Sequence, residues 1–171
     1  QSSESPIVAG HIAFINGQVL VHNSNIGART LKKGDPVYVG DQLQTRENSH
    51  LHLSMVDNAF VALRPDSQLT IDTYDYTPSR PEASRIRIDL HHGTSRAVTG
   101  KGGQAAKHQY RFNTPMAAIG LRGTDYTVIA DDQKIRVSVA QGGVIVTPYG
   151  PDCATSQLGP CINALTRELH A

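Results

Sequence analysis

Short runs in which apolar and polar residues alternate, each closed by glycine, aspartate or proline, organise this chain along most of its length. Leu51, Leu53 and Met55 alternate with His50, His52 and Ser54, the pattern of a strand with one buried face. Val56-Asp57-Asn58 turns that strand, and Ala59 to Leu63 returns before Arg64-Pro65-Asp66-Ser67 breaks the run. Gln68 to Tyr76 forms another strand, with Leu69 and Ile71 on one side and Asp72 and Tyr74 on the other. Ile86, Ile88 and Leu90 alternate with Arg85, Arg87 and Asp89, and Lys134 to Val139 alternates after a hairpin turn at Asp131-Asp132-Gln133. The turns Gly34-Asp35 and Gly40-Asp41 bracket one short strand. The inward positions of these runs predict a core of Leu31, Val37, Leu43, Leu51, Leu53, Leu63, Leu69, Ile71, Ile88, Leu90, Phe112, Ile119, Val128, Val137 and Val144.

One phrase recurs, a pair of apolar strand segments hinged on glycine. It spans Phe14 to Val21 around Gly17, Leu90 to Ala97 around Gly93, and Val139 to Val146 around Gly142. Glycine suits a corner that needs positive φ or a close backbone approach, so the three copies are expected at equivalent corners of one β architecture. Thr77 to Glu82 reads as a surface loop because its two prolines remove donors. Thr99 to Gln109, with three glycines and little to bury, is expected to be a mobile hinge. Ile162 to His170 is predicted to be helical, with Leu165 and Leu169 on one face.

Composition narrows the class. At 171 residues and 39% hydrophobic content, one domain can bury a core, and the lack of tryptophan leaves that core to Val, Ile, Leu and Ala. Sixteen Lys and Arg against fifteen Asp and Glu give a formal charge of +1 without long runs of either sign, so no nucleic-acid partner is expected. The apolar runs are strand-length, far short of the roughly 20 residues of a membrane-spanning helix, and no span is expected in this chain. The polar opening Gln1-Ser2-Ser3-Glu4-Ser5-Pro6 suggests a start left by signal-peptide removal, and an expression vector gives the same end. Cys153 and Cys161, flanking Gln157-Leu158-Gly159-Pro160, suit a disulfide in an oxidising compartment, with two free thiols as the alternative. Zinc needs two further ligands, which no nearby Cys or His pair supplies. A periplasmic or extracellular location is the expectation.

Sharper chemistry finds little purchase. His50 with His52, and His91 with His92, would make a metal site only if their strands were neighbours, and solvated histidines are the plainer reading. Arg122-Gly123-Thr124-Asp125 reverses the order of an aspartic-protease motif and lacks a second carboxylate loop. Its structural reading puts Gly123 at a bulge, with Thr124 and Asp125 bonding local backbone. Ser54, Ser95 and Ser138 lie within strand patterns and outside any nucleophile elbow, and Gly100-Lys101-Gly102-Gly103 lacks the Walker spacing. Arg85 and Arg87 alternate outward and could meet an acidic partner or a glycan. No catalytic, cofactor-binding or metal-binding residue is therefore expected. The structural turns are expected at Gly17, Gly34, Asp35, Gly40, Asp41, Gly93, Gly123, Thr124 and Gly142.

The order of these elements resembles the FecR domain family. It is carried by the first Gly-Gln-Val strand, Leu31 with Gly34-Asp35, Gly40-Asp41 with Leu43 and Thr45, Asp57-Asn58, Leu63 with Pro65 and Ser67, Gly93, Phe112 with Thr114-Pro115, Arg122-Gly123-Thr124, and Gly142-Gly143-Val144. The resemblance covers roughly residues 11–148 and implies a periplasmic all-β domain, a twisted solenoid-like or sandwich-like stack of short strands. Residues 1–10 are then a tail, and 149–171 an appended disulfide loop and short C-terminal helix. Well-known members of the family join such a domain to a membrane helix and a cytoplasmic anti-sigma segment. Neither is found in this sequence, so sigma-factor control does not carry over. What carries over is an exported, non-enzymatic module that binds an envelope protein in signalling or as a scaffold. The alternative is a subunit that assembles with itself into filaments or rings.

Overall fold

In the computed structural model, which describes residues 5–123 and 125–171, the alternating runs become β1 (Val8–Asn16), β2 (Val19–Asn23), β3 (Gly27–Arg29), β4 (Pro36–Tyr38), β5 (Gln42–Thr45), β6 (His50–Met55), β7 (Phe60–Leu63), β8 (Gln68–Asp75), β9 (Arg85–Val98), β10 (Tyr110–Asn113), β11 (Ala117–Leu121), β12 (Asp125–Ala130), β13 (Ile135–Gln141), β14 (Gly143–Pro148) and β15 (Arg167–His170). Two layers result. The first runs β4-β1-β6-β7-β9-β12-β13 and the second β3-β2-β5-β8-β9-β10-β11-β14-β15. All neighbours are antiparallel except β9 and β10. β9 belongs to both layers: its first half pairs with β8 and β10, its second with β7 and β12. The chain winds back and forth between the layers, which gives the all-β stack expected from sequence.

Every residue of the expected core is buried except Val137, which is half-buried on the edge strand β13. Both layers contribute to a single cluster, from Leu51 and Val128 in the first to Leu43 and Ile119 in the second. Tyr74 departs from its expected outward side and is 3% exposed, because a register shift between Ile71 and Thr73 reverses the alternation in β8.

Each of the three glycine phrases lies where the chain crosses between the layers, Gly17 and Gly142 from the first to the second and Gly93 from the second to the first. Gly17 joins β1 to β2 at φ +83°, Gly93 bends β9 at φ +98°, and Gly142 joins β13 to β14 at φ +77°. Two further crossings, Arg46-Glu47-Asn48-Ser49 and Arg64-Pro65-Asp66-Ser67, stack between the first two glycine corners. In each, a residue with positive φ (Asn48 at 56°, Asp66 at 55°) precedes a buried serine. Ser49 Oγ accepts from the Gln18 N–H at 2.8 Å and donates to the Glu47 carbonyl at 3.0 Å. Ser67 Oγ repeats this with the Thr94 N–H at 2.9 Å and the Pro65 carbonyl at 3.0 Å. Backbone bonds from Arg46 to Gln18, Asp66 to Arg46 and Arg64 to Thr94 tie the four corners into one ladder.

Two expectations about irregular segments are corrected. Thr99 to Gln109 is not a bare loop: Lys101–Ala105 forms a short helix, α1, followed by a 3-10 turn at Lys107–Gln109. The buried Asp57 holds it, with its carboxylate accepting from the Gly102 and Ala59 N–H groups and from Tyr74 Oη, and its carbonyl from the Lys101 N–H. Gly102 and Gly103 are buried because, without side chains, they fit closely against Ser84 and Thr99. The C-terminal segment is strand β15, not a helix. A helix of its length is marginal in water, whereas the edge of β14 offers it a backbone ladder from Gly143↔His170 to Val146↔Arg167. Leu169 packs on the core, while Leu165 lies in the preceding turn and is exposed.

Candidate functional site

The outer face of the first layer carries a row of aromatic and charged side chains stacked on one another. Phe14 on β1 lies opposite His52 on β6, with ring centroids 5.1 Å apart. His52 meets Phe60 of β7 edge-on at 5.2 Å, and the Arg96 guanidinium of β9 sits 5.9 Å from the Phe60 ring centre. Arg96 is then held in a two-bond fork by Asp125 of β12, at 3.0 and 2.7 Å. The chain has three phenylalanines, and two of them stand in this row; Phe112 alone goes to the core. Phe14 is 45% exposed. Aromatic and arginine side chains on an exposed, preformed sheet face are the composition of an interaction hot spot.

Electrostatics in the row follow from its crowding. Partial burial, and after it the positive fields of His50, Arg64 and Arg96, hold the His52 imidazole below its ordinary pKa. Because the unfolded chain then binds that proton more readily than the folded one, His52 lowers stability as pH falls through the ordinary histidine value of about 6.5. Replacing His52 with glutamine is expected to reduce by about 1–2 °C the drop in Tm between about pH 7.5 and 5.5, as followed by thermal melting. An identical drop in both proteins would mean His52 carries no such effect. Asp125 is held below the usual carboxylate range, chiefly by its hydrogen bonds with Arg96. Its two bonds run across the sheet to Arg96, a correction to its expected local backbone bonding.

The residues expected at turns are placed as follows. Gly34 and Gly40 have φ of +90° and +93°. The Asp35 carboxylate accepts the Lys32 N–H at 3.0 Å. Asp41 is fully buried, bonding Arg29 at 2.5 Å, Asn23 and the Tyr38 N–H, so this turn is an ion-paired anchor. Gly123 packs directly against the backbone of Gly142, where a Cβ has no room. Thr124 lies outside the described residues, as do Gln1 to Glu4. The histidines are not brought together: His50 and His52 belong to the first layer, while His91 bonds Thr70 Oγ1 and His92 the Asp66 carbonyl. Among the described residues, no three His, Cys, Asp or Glu side chains form a metal-sized cluster. Ser95 is buried and donates to the Ala62 carbonyl.

On the second layer, the outer face of β10, β11 and β14 is covered by the segment between β14 and β15. A Cys153–Cys161 disulfide closes that segment over Ala118. The residue that receives it, Arg111 on β10, escaped the sequence reading because alternation marks it as solvent-facing. It is 0% exposed. Its guanidinium donates to the carbonyls of Gly159 (2.7 Å) and Ala154 (2.8 Å), to Asn113 Oδ1 and to Cys161 Sγ. Thr147 Oγ1 adds a bond to the Cys161 carbonyl at 2.6 Å. Replacing both cysteines with serine should cost about 1–3 kcal/mol by relaxing the closed loop in the unfolded chain. Urea titration with and without reductant checks this; equal midpoints would show that Arg111 alone sets the loop.

A family model described as "FecR protein" matches residues 41–145. No curated protein matches the sequence. Among solved structures, two crystal structures of a Parabacteroides distasonis protein described as an anti-sigma factor align with a TM-score of 0.51 at 15% identity, over 75% of this chain and 50% of that one. The chain thus spans about half the length of that protein, and the likeness is one of fold. A cell surface anchoring domain aligns over 36% of this chain and 80% of its own, at 31% identity and a TM-score of 0.34.

Proposed function

The chain belongs to the FecR family, and on that premise we propose that it is a non-enzymatic protein–protein interaction module of the bacterial envelope, periplasmic or extracellular, acting in signalling or as a scaffold. The observation that carries this reading is the exposed Phe14-His52-Phe60-Arg96 row on a rigid sheet. Phe14 is 45% exposed and Phe60 half-buried, so part of this aromatic surface is left for a partner to cover. The disulfide suits an oxidising compartment. The anti-sigma description of the Parabacteroides distasonis protein supports a regulatory partner rather than a substrate.

A photo-cross-linking residue placed at Phe14 or Phe60 in cells tests the reading. Discrete protein adducts are expected from both positions, and a second change, Arg96→Ala, should weaken them. A folded protein that yields no adduct at either position overturns it. The alternative, a self-assembling subunit, draws on the free edges β13 and β15. Light scattering over a concentration series separates the two: growth into rings or filaments favours assembly, and a persistent monomer favours the module.

A further inference from the structure

The sandwich is open along one flank. β13 ends the first layer and β15 the second, and among the described residues no other strand pairs with their outer edges. Ile135, Val137 and Val139 from β13 face Val146 and Leu169 from the second layer, and all five stay half-buried against the core. At one end this flank widens into an apolar groove of about 360 Å³, walled by Met116, Ile135, Val146, Pro148, Leu165 and Arg167. Leu165 is 61% exposed on its rim. Arg167 is the charged residue lining the groove, and Lys134 and Arg136 flank Ile135 of β13; none of the three makes an ion pair among the described residues. The nearby Asp131 carboxylate is occupied by the backbone N–H groups of Gln133 and Lys134.

We infer that this flank accepts an extended segment of a partner protein, added to β13 as an extra strand, whose alternate apolar side chains enter the groove and whose acidic residue meets Arg167. The inference rests on the reading of the chain as an interaction module but uses a surface separate from the aromatic row. A free edge selects for an extended backbone, because only a strand satisfies its row of donors and acceptors. Period-two alternation then directs every second side chain into the groove and its neighbours to solvent. A second copy of this chain fits worse. Its own β13 would arrive with Ile135, Val137 and Val139 already turned into their own core, and pairing the two edges would bring two sets of Lys134 and Arg136 onto adjacent strands.

The experiment uses the full chain and a labelled peptide of about nine residues, with valine alternating with threonine and aspartate, beside a twin carrying lysine for aspartate. Fluorescence anisotropy is expected to show the aspartate peptide binding about tenfold tighter than its twin. Arg167→Glu should reverse that preference, and Leu165→Asp should weaken both peptides about tenfold. Both sites are exposed, and unchanged melting curves confirm the fold. Amide hydrogen exchange should show added protection in Ile135–Gln141. Absence of binding up to about millimolar peptide, a preference unmoved by Arg167→Glu, or protection elsewhere overturns the inference. So does a concentration-dependent dimer abolished by Leu165→Asp, which assigns the flank to a second copy. If these tests fail while Phe14 and Phe60 still capture adducts, the flank is wrong and the module stands; if both fail, the module falls as well.

Discussion

Replacing Arg111 with alanine is expected to destabilise the protein by about 3–5 kcal/mol and to free residues 150–161 from the sheet. The guanidinium has no exposure, and burial holds its pKa below the usual arginine value. It bridges β10 to two carbonyls and a sulfur of the disulfide segment. Its removal leaves the Gly159 and Ala154 carbonyls and the Asn113 amide oxygen short of donors beside a cavity the size of the side chain. Each lost bond to a charged group is worth about 1.5–3 kcal/mol. Lysine keeps the charge without the planar fork and should recover only part of the loss. Urea titration gives the stability, and limited proteolysis reports the segment. A loss under about 1 kcal/mol with the segment still protected would mean that the disulfide suffices and Arg111 is a passenger.

Gly93→Val should cost about 3 kcal/mol or more. A β-branched residue at φ +98° carries backbone strain of about 1–3 kcal/mol. Its Cβ would also overlap Ser67, whose hydroxyl links the Thr94 N–H to the Pro65 carbonyl, so the corner must open and lose those bonds. Gly27→Val provides the control, since Gly27 has a similar φ of +93° and a Cβ there would meet no atom within 4 Å. It isolates the strain, and the difference between the two variants measures the fit at the corner. Equal melting temperatures for the two would show that Ser67 yields at no cost.

The core was legible because alternation records which face of a strand is buried; it fails where a bulge changes the phase, as before Thr73, and where both faces are covered, as in β10. The glycine corners were legible because few residues other than glycine tolerate their φ. Their serine counterparts were not, although the signal was present: Arg46-Glu47-Asn48-Ser49 returns eighteen positions later as Arg64-Pro65-Asp66-Ser67. Asparagine and aspartate can replace glycine at positive φ, so these corners carry no glycine to mark them. The terminal strand misled because Leu165 and Leu169 sit four apart, a helical spacing, whereas their segment is decided by a free edge elsewhere in the fold. The aromatic row draws on β1, β6, β7 and β9, and no local pattern assembles residues so far apart in sequence. Arg111 was hidden for the same reason, because what covers it comes from some fifty residues downstream.

The double membership of β9 has a consequence for the order in which this molecule can be made. During synthesis, residues 1–84 emerge before residues 85–98 and bring β1 to β8, whose two groups of strands end in the open edges of β7 and β8. Both edges await the same fourteen residues, Arg85–Val98. Until those arrive, the nascent chain exposes two adhesive margins at once, the condition in which growing β proteins stick to one another. When they do arrive, one strand seals both margins, and the Gly93 bend sets the register on either side, where a slip of one residue would turn the inward side chains of both layers out to water.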